Sequence, residues 1–320
     1  MKILLKSKNR KSFSFKLRGF SYLIYDLKYN KALLVMLSMP LILLIVFQYI
    51  PMIGLQIAFR DYKMFGSVWE AEWVGLKYFF KFFEYHEFND LLKNTILLNS
   101  YDLLLSPLPL VFALCLNYFP NKKIRSLIQT ISISPHFIST VVVCSVVIRL
   151  LSIDGPINQL RESMGLEQIN FLTNGELFRS IYVWSGAWQT VGFNSIIYVS
   201  ALAEVSKSQH RAAQIDGSSL FQRIKYIDLP SILPLYAVNL VFRCGAMLSN
   251  NYEKILLLQN NFNKEYSQVI STYTYEIAFK GLIPQYSLST AIGIMTSLVS
   301  LAMLLIVKRA TRKWERIDEK

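Results

Sequence analysis

Arg243 stands about twelve residues into an apolar run that opens at Ser231. At 1.5 Å per residue that is about 18 Å into a helix, close to the middle of a bilayer. An arginine there costs roughly 2.5–3.5 kcal/mol on insertion scales, and snorkelling from that depth is difficult. It must face other protein or a wet cavity. One reading pairs it with Asp102, the acidic residue deep in another apolar run, in a helix of opposite direction and somewhat offset. The other leaves its rigid fork facing a cavity, where it suits a carboxylate or vicinal hydroxyls on a bound molecule. His136 follows Pro135 with no second His or carboxylate at ligand spacing, so it reads as packing at a proline kink. His86 and His210 lie outside the apolar runs and suggest no metal site. Cys115, Cys144 and Cys244 sit singly in apolar stretches, without CxxC spacing. No Ser/His/Asp or paired-carboxylate set can be assembled, which argues against an intramembrane enzyme. Nor is there a G-x-x-x-x-G-K-[ST] phosphate loop.

The elements that hold these residues are membrane spans. Of 320 residues, 53% are apolar and only 17% charged, against about 25% charged in a soluble domain. Six stretches reach the roughly 20 apolar residues that a spanning helix needs: Ala32–Ile50, Ile96–Leu116, Leu127–Leu151, Ile181–Ala203, Ser231–Asn250 and Leu288–Val307. Their continuity favours helices over a barrel. The first run begins only after residue 31 and shows no cleavage pattern, so it reads as retained. Of the 34 Lys and Arg, 22 fall in the N-terminal tail, two of the loops and the C-terminal tail, on one side. The other three loops hold 10, with 13 Asp and Glu among them. The positive-inside rule places both termini in the cytoplasm. The net charge of +13 is then a topology signal, and no nucleic-acid partner is implied. The expected organisation is a basic cytoplasmic tail over 1–31, a transmembrane domain over 32–307 and a cytoplasmic tail over 308–320. Between residues 51 and 95 aromatics alternate with Lys77, Lys81 and Glu84, which suits an interfacial helix or an aromatic belt. Pro107 and Pro109 are expected to bend the second span without breaking it.

The cytoplasmic loop over 204–230 reads EVSKSQHRAAQIDGSSLFQRIKYIDLP. A simple connector needs only about two to eight residues. Lys207–Ile215 predicts a short helix in which Ala212 and Ala213 allow close approach. Asp216-Gly217 is a turn signal, and Ser218 or Ser219 caps a second helix. That helix sets Leu220, Phe221, Ile224 and Ile227 on one face, before Leu229-Pro230 stops it and opens the fifth span. A helical pair with an apolar face in the cytoplasm wants a partner surface.

R-A-A-Q-I-D-G-S-S followed by F-x-x-I-x-x-I-D-L-P resembles the E-A-A-x-x-D-G-A … L-P loop of ABC importer permeases. The matching positions are Ala212, Ala213, Asp216, Gly217, Leu229 and Pro230, with Phe221 on the second helix. Arg211 departs from the family's glutamate, which puts an ion pair at that position in doubt. Trp73–Phe83 and Lys93–Asn117 are similar to maltose-type sugar permeases. Ile133–Thr140, Asn170–Asn174, Trp188–Leu202, Tyr252–Asn260 and Val269–Phe279 resemble the LplB-like oligosaccharide and polysaccharide subfamily. The resemblance implies a type I importer permease: an all-α, six-helix integral membrane protein of the bacterial cell membrane, with its core over about 90–307. It also implies as partners a second homologous permease, cytoplasmic ATP-binding subunits and an extracellular substrate-binding lipoprotein, besides membrane lipid. ATP would be used by the partner subunit, and this chain would bind no cofactor. Ungapped alignment through the loop brings sugar-contacting positions onto Gly186, Gln189, Thr190 and Phe193. Their i, i+3, i+4, i+7 spacing shares one helical face, which also fits ordinary helix packing. Asn250 and Asn251 follow only with a gap. A cavity-facing Arg243 would imply an anionic sugar, such as a uronate-containing oligosaccharide. The alternative function is an ion-coupled secondary transporter, which would show interrupted helices and an inverted repeat and would not need the loop.

Overall fold

The computed structural model describes residues 31–64 and 66–315; the basic tail to residue 30 and the last five residues lie outside the described residues. The chain divides into a unit over 1–56 and a unit over 57–320. In the first, helix α1 (Lys31–Leu44) runs through a π-turn at Ile45–Tyr49. None of its described side chains from 34 to 56 is buried. A helix apolar on every side, with none of these side chains buried, belongs in lipid or against another subunit.

The second unit is helical, with one isolated bridge between Arg60 and Trp73 among its described residues. Its helices are α2 (Lys77–Phe83), α3 (Phe88–Leu104), α4 (Leu108–Asn117), α5 (Lys122–Ile133), α6 (Thr140–Leu151), α7 (Pro156–Ser163) and α8 (Gly175–Glu204). They continue as α9 (Lys207–Ile215), α10 (Leu220–Arg223), α11 (Leu229–Gly245), α12 (Tyr252–Leu258), a turn at Lys264–Ser267, α13 (Ile270–Tyr275) and α14 (Tyr286–Glu315). Five segments among the described residues are long and apolar enough to cross a membrane: Leu34–Phe59, Phe88–Asn117, Thr140–Ser163, Leu220–Gly245 and Tyr286–Arg309. The sixth expected span is α8. Its 30 residues reach about 45 Å, but Ser185, Gln189, Thr190, Asn194 and Ser195 make it more polar than the rest.

The third and fifth spans depart from the hydropathy reading. Leu127–Leu151 is not one helix: α5 ends at Ile133, a 3-10 turn spans Ser134–Phe137, and α6 starts at Thr140 under a Ser139 cap. Pro135 bars the α region to the residue before it only weakly here, but it removes an amide from the ladder, and apolar side chains on both sides hide the break from a hydropathy scan. The second span bends at 105–107 as Pro107 and Pro109 predict, with Leu105 and Pro107 still right-handed helical. The helix of the fifth span runs continuously over Leu220–Gly245, so it neither begins at Ser231 nor reaches Asn250. Leu229-Pro230 does not stop the preceding helix. The ladder passes through a π-turn at Ile224–Asp228, with the Leu229 N–H donating to the Ile224 carbonyl. A π-turn re-pairs carbonyls that the missing Pro230 amide would strand.

The aromatic segment is packed rather than merely interfacial. Phe82 of α2 is buried with Leu91, Ile270, Tyr273, Leu288 and Ile292, while Phe80 and Phe83 stay exposed. A second cluster joins Leu98, Cys144, Phe178, Val183, Ile255, Leu258 and Val269. A third joins Leu110, Ala113, Tyr198, Leu202 and Ile232 beneath the 204–230 loop. Buried asparagines tie the loops at the opposite end. Asn94 donates to the Glu265 and Gln268 carbonyls, and Asn158 brackets residue 169 through both backbone groups.

Candidate functional site

The loop folds from its own local chemistry. Ser206 caps α9. At its far end Gly217 adopts φ +75°, and Ser218 N–H donates to the Ala213 carbonyl (2.9 Å) while Gly217 N–H donates to Gln214 (3.1 Å). This is a Schellman turn, which closes a helix through a left-handed residue. Ser219, not Ser218, caps α10: its hydroxyl accepts from the Gln222 N–H, and the Gln222 side chain accepts from the Ser219 N–H at 2.7 Å. The two helices leave Ile215 (86% exposed), Phe221 (71%) and Tyr226 (67%) uncovered. Leu220 is exposed as well, whereas Ile224 and Ile227 are half-buried. The expected single apolar face is therefore split, with Leu220 and Phe221 bare and Ile224 and Ile227 turned partly towards the protein. Arg211, Ala212 and Asp216 are exposed, and Ala213 is half-buried. Leu229 and Pro230 sit in the first turn of α11.

Sequence reasoning missed how this loop is tied to the membrane helices. His210 Nε2 of α9 lies 3.1 Å from Asp228 Oδ1. Asp228 is fully buried in the π-turn, and the Tyr118 hydroxyl, just past α4, donates to its other oxygen. Burial first, then this bond to Asp228, holds the Tyr118 hydroxyl well above the usual phenol range. The Arg223 guanidinium lies 5.9 Å from the Tyr118 ring centroid. The I-D-L-P motif held the one available signal, an acidic residue at the mouth of a span.

A groove of about 850 Å³ runs between α4, α8 and α11. Ser106, Phe193, Tyr236, Asn239 and Arg243 line it, with Ile197 and Leu240 among its apolar contacts. Arg243 is not at mid-helix. It occupies the last turn of α11, where unpaired carbonyls favour a cation, and Nη1 donates to Asp102 Oδ2 at 2.9 Å. Both side chains stay partly open, at 33% and 48%. The ion pair and the cavity are thus one arrangement. Of the α8 candidates, Phe193 reaches the groove and also stacks on His136 at 3.8 Å. Gln189 Nε2 donates to the Ile138 carbonyl (3.1 Å), so it fastens the break between α5 and α6. The Thr190 hydroxyl turns back to its own helix at Gly186. Gly186 faces the Lys254 ammonium, which lies 3.0 Å from where a Cβ would stand. Asn251 caps α12, and Asn250 Oδ1 is a buried acceptor without a partner in the structure.

Lys254 is the other residue that sequence reading passed over. It is buried (4% exposed); Nζ donates to the Tyr182 carbonyl at 2.9 Å and lies 4.8 Å from that residue's ring centroid. Burial pushes its pKa down to about 8, opposed in part by Cys144 and Asp102. Nearby, Trp184 Nε1 donates to the Tyr101 hydroxyl at 2.9 Å.

Known proteins share this architecture. Residues 106–316 match the family model described as binding-protein-dependent transport system inner membrane component. Protein LplB of Bacillus subtilis (strain 168) is 35% identical over 301 residues, covering 93% of this chain and 94% of LplB. The polygalacturonan/rhamnogalacturonan transport system permease protein YteP of the same organism is 36% identical, covering 91% of each. A solved bacterial ABC transporter involved in the import of the acidic polysaccharide alginate superposes with TM-score 0.84 at 36% identity, covering 91% of this chain and 99% of that one. The same transporter type in complex with an alginate pentasaccharide-bound periplasmic protein gives 0.82. Its helices, its capped loop and these matches assign the chain to the inner-membrane components of binding-protein-dependent transport systems, with the type I ABC importer permease fold.

Proposed function

We propose that this chain is the permease subunit of an ATP-driven oligosaccharide importer and forms half of the path, beside a second homologous permease. Relatives of LplB, YteP and alginate-importer type support the carbohydrate reading. The observation that carries the ATP coupling is the α9–α10 pair, locked by two caps and a Schellman turn while Ile215, Leu220 and Phe221 remain uncovered. A rigid apolar wedge on a membrane helix base fits a groove in a cytoplasmic ATP-binding subunit. Arg211, exposed beside that wedge, then meets an acidic or neutral group of that subunit. An extracellular binding lipoprotein delivers the sugar, and both termini lie in the cytoplasm. ATP hydrolysis belongs to the partner, and the chain itself supplies no cofactor site. The secondary-transporter alternative leaves the wedge without a purpose.

The test is uptake of labelled oligosaccharide in cells with and without the ATP-binding subunit, for the wild type and Phe221→Glu. The variant should insert normally, lose co-purification of the ATPase and abolish uptake. Undiminished uptake without any ATPase would overturn the reading.

A further inference from the structure

The Asp102–Arg243–Lys254 group holds two cations and one carboxylate in a setting where helix packing alone would call for none. Arg243 lines the groove and grips Asp102 through one hydrogen bond, although its fork could engage a carboxylate with two. The pair is half-open, so its bond competes with whatever enters the groove. Lys254 is nine-tenths buried, with a backbone carbonyl and a ring face as its contacts and Asp102 as the carboxylate whose field it feels. It stands against Gly186, at one end of the α8 face that continues through Thr190 and Phe193 towards the groove. The groove is lined by Phe193, which stacks on His136 by one face, by Tyr236 and Ser106, whose hydroxyls bond each other at 2.8 Å, and by Asn239; aromatic, hydroxyl and amide side chains together are the chemistry of a sugar site.

We infer that this group is a carboxylate-exchange site selecting acidic oligosaccharides: Asp102 holds on Arg243 the place that a uronate carboxylate of the substrate takes during passage, and Lys254 keeps the released Asp102 compensated. Breaking a charge pair is expensive chiefly because it strands a charge. Here the incoming carboxylate replaces Asp102 on the guanidinium, and Asp102 turns to solvent and to the field of Lys254, so neither charge is stranded. A neutral sugar offers Arg243 nothing to exchange, which gives selection by charge rather than by size.

The inference rests on the importer reading, and its test separates the two. The assembled transporter, purified without its binding protein, is titrated calorimetrically with a hexuronate pentasaccharide and with a neutral hexose pentasaccharide of the same linkage. The wild type should prefer the uronate. Arg243→Gln should weaken uronate binding at least tenfold and leave the neutral sugar unaffected. Asp102→Asn, which removes the competing carboxylate, should tighten uronate binding several-fold, and Lys254→Met should weaken it. Should Arg243→Gln fail to assemble, Arg243→Lys takes its place and must keep the preference. Equal binding of both sugars by the wild type, or parallel losses for both sugars in Asp102→Asn, would overturn the exchange. ATP-dependent uptake persisting in that case would leave the importer reading intact, whereas its absence for every sugar would remove that reading instead.

Discussion

Lys254 carries a stability signature independent of transport. Its ammonium is pushed down to about 8 by burial, against about 10.4 in an unfolded chain. Below pH 8 both states are protonated and the folded protein bears the whole burial penalty. Between about 8 and 10.4 the folded state has released its proton and the unfolded state has not, so stability rises with pH across that window. A shift of this size corresponds to about 3 kcal/mol. Lys254→Met should therefore raise the melting temperature of the detergent-solubilised protein at pH 7 and flatten its increase between pH 8 and 10. A lower melting temperature at pH 7 would mean that the Tyr182 contacts outweigh the burial. Arg243 and Asp102, by contrast, are partly hydrated, so a double-mutant cycle on stability should return a coupling of about 1 kcal/mol rather than the several expected of a dry pair.

Two glycines separate conformational strain from collision. At Gly217 a Cβ would meet nothing within 4 Å, but φ is +75°. Gly217→Val should cost about 1 kcal/mol or somewhat more locally, loosening ATPase co-purification and uptake while the protein still inserts. Gly192 of α8 is different: a Cβ there would run into the Ser132 carbonyl of α5. Gly192→Val should cost about 3 kcal/mol or more by overpacking, visible as loss of the monodisperse peak in fluorescence-detected gel filtration. Turn chemistry of the Gly217 kind was readable in the sequence. Asp216-Gly217 and the serines after it dictate their own geometry, so α9 was found with its limits intact. The break at Pro135 and the true end of α11 at Gly245 were not readable. Hydropathy runs on across both, and only α8, reaching in with Gln189 and Phe193, fixes the first. Arg243 was read as mid-helix for the same reason, since the expected run continued to Asn250 whereas α11 ends at Gly245. Lys254 left no trace because nothing local tells a buried loop helix from an exposed one. The His210–Asp228 contact joins residues 18 apart across a turn, beyond any helical periodicity.

For the whole molecule, the basic residues predict an orientation that labelling can check. In a background without the three native cysteines, Phe221→Cys should react with a membrane-impermeant maleimide in inside-out vesicles and stay unlabelled in right-side-out cells. Reaction in intact cells would invert the topology. A larger consequence follows from the continuity of Leu220–Gly245. The same helix begins in the wedge and ends beside Asp102. From Asp228 to Arg243 is about 22 Å along its axis, so a tilt of about 8° at the π-turn carries the guanidinium about 3 Å. That is comparable to the whole length of its bond to Asp102 (2.9 Å). A rod with a ligand at each end obeys thermodynamic reciprocity: if ATPase docking changes uronate affinity by some factor, uronate must change docking affinity by that same factor. If docking tightens uronate binding, a cell supplying acidic fragments would hold its transporter together more tightly than a starved one, with no regulator needed beyond the cargo; if docking loosens it, cargo would release the ATPase instead.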